Sequence, residues 1–420
     1  MFTIEKRGIM NDSNVHAALE IADHEIRLAI GQFYNTRLNI LKLERVSCSG
    51  VLGTHINNQH LVVEAIQAAK RHVKETLGVD LKRVILALPT LNTSRYAKRI
   101  EYNIKEQVTL NDIKAIMKEA YHSDIPSHQE LVNVFITKSI VNGIVLRRLP
   151  VGEVCDHISV DVDLLCADRE LIYRYAQTVE KAGLEISEIS LDSYAFGKEA
   201  SLFEKSLEHH IVALKIERQT SSLSLFAKGK MSSSEILDLG MHQMIAHLAQ
   251  EAHLPIDVAD RLIHFNVRFG LESYPDTPVY LWSSDGQTHT LSERDIFTIL
   301  KDDVVAWIES IKRAIAPIVE HGETKMILYG ESAEINGLDH MISKACGIEV
   351  EHYIPETLGI RASALSTVAG LFYVLKDQSR LRNFEAGIDM LEYENCCSKT
   401  QESNEDTFSG KLKGLFERRG

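Results

Sequence analysis

The feature that most constrains this chain is a strand–turn–strand unit used twice. Residues 211–231 read Ile-Val-Ala-Leu-Lys-Ile, then Glu-Arg-Gln-Thr-Ser-Ser, then Leu-Ser-Leu-Phe-Ala-Lys-Gly-Lys-Met. A buried-type apolar run, a polar turn, an alternating run and a second turn at Gly229 predict two strands of one hairpin. A similar unit opens the chain: Ala17-Ala-Leu-Glu-Ile, Ala22-Asp-His-Glu, Ile26-Arg-Leu-Ala-Ile-Gly. Leu19-Glu20-Ile21 falls in line with Leu214-Lys215-Ile216. A hairpin repeated so far along one chain predicts two related halves facing each other.

The segments between the hairpins read as alternating α and β. Residues 15–43 are successive strands. Residues 61–77 carry apolar side chains at helical spacing, with Gly78 as the stop, and residues 84–88 are a buried strand. Residues 96–168 interrupt this pattern. They hold a helix that starts at Thr109 with Asp112 at its third position, then strands on either side of Asn142-Gly143, then an alternating strand at 157–165. Helices are expected at 168–183, 237–252, 258–268 and 337–346. A long one at 292–319 opens on Ser292 and Asp295, and a last apolar one covers 362–374. From Asp377 the chain turns polar, which predicts a flexible linker to residue 407.

Composition narrows the function classes. With 420 residues, 45% of them hydrophobic, the chain can bury a sizeable core in more than one domain. A net charge of -13 argues against a general nucleic-acid binder. The six cysteines, at 48, 155, 166, 346, 396 and 397, form no C-x-x-C pair, and the 18 histidines no H-E-x-x-H spacing, so no metal site is expected. With no signal peptide and no long apolar run, the expected location is the cytoplasm.

Duplicated hairpins of this kind resemble the phosphate-binding hairpins of the actin-like ATPase fold. Over residues 15–375 the chain is similar to the FtsA family of bacterial cell-division proteins. The matching stretches include 17–31, Ser49-Gly-Val-Leu-Gly, Val84-Ile-Leu-Ala-Leu-Pro, Val179-Glu-Lys-Ala-Gly-Leu-Glu-Ile, Leu328-Tyr-Gly-Glu-Ser-Ala and Ile354-Pro-Glu-Thr-Leu-Gly. The resemblance implies an α/β, actin-like (ribonuclease H-like, duplicated) fold with an inserted subdomain of the family's 1C type at 96–168. It further implies a loose N-terminus at 1–14, a first subdomain (1A) at 15–95 and 169–206, and a second (2A) at 207–243 and 321–376. A further subdomain, 2B, would cover 244–320, and a membrane-targeting tail 408–420.

The same resemblance locates a nucleotide cleft, and there the chain departs from the family. Phosphate binding needs glycines for close backbone approach and carboxylates to hold magnesium through water. The family's first Asp-x-Gly is Glu20-Ile21-Ala22 here, and its Asp-x-Gly-Gly-Gly-Thr is Lys215-Ile216-Glu217-Arg218-Gln219-Thr220. Its acid and lysine near the nucleoside fall at Asp260 and Ile263, and its glycine run is reduced to Gly330-Glu331-Ser332. Thr220 and Gly240 survive. The degenerate nucleotide positions are therefore Glu20, Lys215, Thr220, Gly240, Asp260 and Gly330. With a cation in place of an acid, the expectation is a pseudo-ATPase without a cofactor, Lys215 filling the magnesium position or pairing with Glu20. ATP and magnesium remain the alternative.

The tail carries a separate signal. Phe408, Leu412, Leu415 and Phe416 recur at one helical face, and Lys411, Lys413, Arg418 and Arg419 make the rest cationic. A basic amphipathic segment suits an anionic membrane surface, and the family's tail has the same position and character; the competing reading is a helix docked on its own domain. The chain as a whole is thus expected to be an adaptor that links an FtsZ-type ring protein to the inner face of the cell membrane and self-associates. The family's partner-binding arginine falls at Asp303, with Arg294, Lys301, Lys312 and Arg313 nearby. The alternatives are an active actin-like ATPase and a pilus-type actin-like scaffold.

Overall fold

A computed structural model describes residues 15–34, 36–237, 239–284 and 286–381. The tail at 408–420, the loose N-terminus and all but the start of the expected linker lie outside these residues.

The chain opens as an antiparallel meander of β1 (Val15–Ile21), β2 (Glu25–Tyr34) and β3 (Arg37–Ser47). β1 is buried at every position, as a central strand covered on both faces must be. A small ribbon, β4 (Val51–Leu52) and β5 (His55–Ile56), leads to α1 (Gln59–Leu77). Asn58 caps α1 by accepting from the amides of His60 and Leu61, and Gly78 closes it in the left-handed region. β6 (Arg83–Leu88) then joins parallel to β1.

Next come β7 (Ser94–Asn103), α2 (Leu110–Tyr121), β8 (Gln129–Val141), β9 (Ile144–Leu146) and β10 (His157–Asp168). The first half closes with α3 (Arg169–Lys181), β11 (Glu185–Leu191), α4 (Asp192–Glu199) and the short α5 (Leu202–Lys205). The second half begins with β12 (His210–Ile216), β13 (Ser221–Ala227) and β14 (Lys230–Leu237). It continues through α6 (Met241–Glu251), α7 (Ile256–Asn266), β15 (Pro278–Ser284), β16 (Gln287–Ser292) and α8 (Glu293–Val319). It ends with β17 (Thr324–Tyr329), α9 (Leu338–Cys346), β18 (Glu349–His352) and α10 (Ser366–Leu381).

The two large sheets have the orders β3-β2-β1-β6-β11 and β14-β13-β12-β17-β18. In each, an antiparallel meander is followed by two strands that join parallel. The repeat seen in the hairpins thus extends, strand for strand, to the whole five-stranded sheet. Inserted within the first half, between β6 and α3, is a separate antiparallel sheet, β7-β10-β8-β9, which buries Ile100, Val134 and Ile158 against Ile113 and Met117 of α2. β7 was not legible in the sequence: it carries Arg95, Lys98, Arg99 and Glu101, and is held by ten register pairs to β10 rather than by its own apolarity.

One core fills the first half and continues onto one face of the second sheet. Leu19, Phe196 and Phe372 share it with Ala213, Phe226 and Tyr329. Phe196 of α4 stacks on Tyr329 of β17 with ring centroids 3.5 Å apart, which ties the halves together. The other face of the second sheet is covered by α6 to α9 around Trp307 and Ile263. α10 lies so close to α4 that a Cβ on Gly370 would come 1.9 Å from the Ala195 carbonyl oxygen, so only glycine fits.

Several boundaries differ from the sequence reading; the last helix, for one, begins at Ser366 rather than 362, and two more have a clear cause. The helix expected from residue 237 starts after Gly240, because residues through Leu237 pair as a strand with β13. Nor does the chain leave the fold at Asp377: α10 continues to Leu381, with Asp377 bonded to Lys198 at 2.7 Å and Gln378 buried. One more turn of helix is stable there because both polar residues find partners. Among the described residues no helix is long and apolar enough to cross a membrane.

Candidate functional site

The two hairpin turns meet, and the site lies where they do. Glu20 and Lys215 are the last residue but one of β1 and of β12, equivalent positions of the two halves. Both are buried, and the Lys215 ammonium donates to Glu20 Oε1 at 2.7 Å. It also donates to Asp192 Oδ2 at 2.9 Å and stands 3.8 Å from Glu217 Oε1. Burial works to strip Lys215 of its proton. The charges of Asp192, Glu20 and Glu217 outweigh it and raise the pKa well above the ordinary lysine value.

A second cation lies beside it. Arg27 of β2 sits opposite Glu20 in the hairpin register and is fully buried. Its guanidinium holds Glu217 of the other half with two bonds of 2.8 and 2.6 Å, donates to Glu25 at 2.6 Å and to Glu20 at 3.3 Å, and reaches the Ala364 carbonyl at 2.9 Å. All three donor nitrogens are used, as a buried guanidinium requires. Burial pushes the Glu217 carboxyl up, but the Arg27 charge and hydrogen bonds prevail and hold it at about 2.

The turns also exchange backbone contacts. Asp23, in the first turn, accepts from the amides of Gln219 at 2.7 Å and Thr220 at 2.9 Å in the second. The Gln219 side chain donates back to the Asp23 carbonyl at 2.7 Å and accepts from the Gly53 amide at 2.9 Å. Consecutive turn amides form a nest for an anion, and here a carboxylate of the protein occupies it. His24 bridges Asp23, at 2.7 Å, and Glu331. Burial disfavours its imidazolium, yet these two carboxylates raise its pKa to about 10. Glu331 also pairs with Arg45 at 3.3 Å.

Five of the six sequence-derived positions lie on this junction, and Asp260 lies beside it. Glu20 and Lys215 form its central pair, and Thr220 binds Asp23. Gly330, at φ 103°, lets the backbone pass Ile216, whose carbonyl oxygen a Cβ would approach to 2.6 Å. Gly240 does the same against Gln219, at 2.4 Å from its carbonyl oxygen. Asp260 stands apart from the central pair, 3.2 Å from His264 and 3.7 Å from Arg218. What remains open beside Glu20, Asp192 and Lys215 is a cavity of about 30 Å³, room for a water molecule or so.

Sequence reasoning missed Arg27, Asp23, His24, Glu25 and Asp192. The first had a visible signal: an arginine inside the apolar run Ile26-Arg-Leu-Ala-Ile, which a four-residue turn sets opposite Glu20. Asp192 had none, since it arrives from the β11–α4 junction, far along the chain.

A magnesium ion held by Glu20 and Asp192 would need the volume that the Lys215 ammonium fills. The charges point the same way. Arg27, Arg45, Lys215 and protonated His24 face Glu20, Asp23, Glu25, Asp192, Glu217 and Glu331, a net charge of about -2 before any anion enters. Two groups that include His24, one with Asp23 and Glu217 and one with Glu25 and Glu331, bring three side chains within metal-binding reach of one another. Both ring nitrogens of His24 are already bonded to carboxylates, so a metal ion there would have to displace them.

No protein-family model matches the chain. Curated proteins do. It is 20% identical to the cell division protein FtsA of Staphylococcus epidermidis over 372 residues, covering 85% of this chain and 79% of that protein. It is 20% identical to FtsA of Bacillus subtilis strain 168 over 394 residues, 91% of this chain and 88% of that one. This chain is a divergent FtsA relative. FtsA of Rhizobium meliloti is 24% identical over 340 residues, 77% and 75% of the two chains. Among solved structures, the PilM–PilN type IV pilus biogenesis complex matches with a TM-score of 0.58 at 14% identity, over 87% of this chain and 98% of that chain. MreB5 of Spiroplasma citri bound to ADP matches with 0.51 at 10%, over 90% and 100%. These likenesses give the FtsA relative an actin-like fold. In the region where the FtsA resemblance puts partner binding, Asp303 of α8 is bonded to His247 of α6 at 2.5 Å.

Proposed function

We propose that this FtsA relative is a cell-division adaptor that joins an FtsZ-type ring protein to an anionic membrane and has given up ATP turnover. One observation carries the loss of turnover: the Lys215 ammonium bonds both carboxylates that would attend a magnesium ion. Phosphoryl transfer is catalysed by positioning and by metal charge. A fixed ammonium supplies neither the water-positioning carboxylate nor the second charge. The turn nest that would hold a phosphate is closed by Asp23, and the surrounding negative charge opposes a nucleotide. The adaptor role rests on the sequence likeness to FtsA proteins along most of the chain. The likeness to the pilus complex is at the level of fold.

The test has two arms. Calorimetry with millimolar ATP and magnesium should give no binding heat, and phosphate release should not exceed that of Lys215→Ala. Turnover clearly above that control refutes the pseudo-ATPase. In the second arm, the full chain should carry a purified FtsZ-type protein onto anionic vesicles, and a chain ending at Asp406 should not. Equal recruitment by both chains refutes the membrane role of the tail.

A further inference from the structure

We propose that the groove between the inserted sheet and the body of the molecule is a docking site for this chain's own residues 383–394. The groove has a volume of about 690 Å³. Its floor is aromatic: Phe135 of β8 stacks on Tyr194 of α4 at 4.2 Å, and Tyr194 meets Phe203 of α5 at 4.8 Å. Leu207 stands 44% exposed at the lip. The rim is cationic, with Lys138, Arg147 and Arg148 from the inserted sheet facing Lys198, Lys228 and Lys230 from the body. Against these six, Asp163 and Glu204 are the acids that line the groove among the described residues. Lys138 is paired outside it with Asp161, and Arg148 with Glu153. Counting these acids and Asp377, the balance stays positive, in a chain whose net charge is -13.

Such a groove selects a segment with apolar anchors and carboxylates, free of cations. Residues 383–394 read Asn-Phe-Glu-Ala-Gly-Ile-Asp-Met-Leu-Glu-Tyr-Glu. Phe384, Ile388 and Leu391 recur at i, i+4 and i+7, with Glu385, Asp389, Glu392 and Glu394 between and beyond them and no lysine or arginine. The chain is also delivered to the right place. In the last turns of α10, Asp377 bonds the groove residue Lys198 at 2.7 Å, and Gln378 donates to the Val134 carbonyl at 3.4 Å, next to Phe135. Phe384 follows Leu381 by three residues, about 10 Å of extended chain. A segment tethered this closely is present at an effective concentration on the order of millimolar, so weak contacts suffice. Any external peptide of the same chemistry must displace it. The inference does not depend on the nucleotide reading.

The test uses the full chain with photoreactive p-benzoylphenylalanine in place of Phe384. After irradiation at low protein concentration, peptide mass mapping should find adducts within one chain on residues 135–138 or 203–207. Arg147→Glu combined with Lys228→Glu, both exposed, should lower the adduct yield about fivefold or more with the melting temperature unchanged. High salt should do the same. Adducts on other surfaces, or a yield indifferent to both charge reversals, would overturn the proposal. So would adducts between chains whose yield rises with protein concentration, since they would assign the groove to a second copy.

Discussion

Replacing Lys215 by methionine tests the central pair. The change keeps the apolar stem and removes one charge and two hydrogen bonds, of 2.7 and 2.9 Å. Glu20 is left with Arg27 at 3.3 Å, and Asp192 with the neutral donors of Thr90 and Ser193. Breaking a buried ion pair on one side costs about 3–5 kcal/mol. A loss of about 3–5 kcal/mol is therefore expected. The chain has two tryptophans, and Trp307 is buried with its Nε1 bonded to Ser221 of the second hairpin at 3.1 Å. Urea unfolding followed by Trp307 fluorescence, in a Trp282→Phe background, reads this region directly. Asp192→Asn in the same chain should restore much of the deficit. A loss below about 1 kcal/mol, or one that Asp192→Asn does not reduce, refutes the electrostatic account.

The junction makes three further expectations. Gly330→Ala puts a side chain at φ 103° with a Cβ 2.6 Å from the Ile216 carbonyl oxygen; a loss of about 2–3 kcal/mol is expected by thermal unfolding. The pH profile should fall on both sides. Glu217 is held at about 2 against an ordinary 4.5, so its contribution is complete above about pH 4.5 and lost as pH falls through about 2. His24 is raised to about 10 from 6.5, so its contribution is complete below about pH 6.5 and lost as pH rises through about 10; His24→Gln should flatten that alkaline limb in melting-temperature scans. For the tail, Leu415→Asp with Phe416→Asp should release the protein from anionic vesicles with the melting temperature unchanged. Neutralising Lys411, Lys413, Arg418 and Arg419 should cost about 1 kcal/mol each and flatten the salt dependence of binding, as co-sedimentation reads it.

Much of the architecture was legible because it rests on local patterns. The run through Leu19 and its counterpart through Leu214 declare two buried strands. Thr109 with Asp112 and Ser292 with Asp295 announce helix starts, and both pairs form the reciprocal capping contacts. The replacement of an acid by Lys215 and of glycines by Glu217, Arg218 and Gln219 could be read as a change in the chemistry of the cleft. The pairing of Lys215 with Glu20 could be anticipated as well. The other partners could not: Lys215 meets Asp192, Arg27 meets Glu217, and Asp23 meets the amides of Gln219 and Thr220 only when the two sheets are brought face to face. A strand's burial follows from its own periodicity, since the hydrophobic term is short-ranged and additive. A buried charge is tolerable only beside its partner, and the partner here comes from the other half of the chain. The sequence by itself determined two hairpins with charged residues at their turns; tertiary structure decided that ion pairs across the halves would join them.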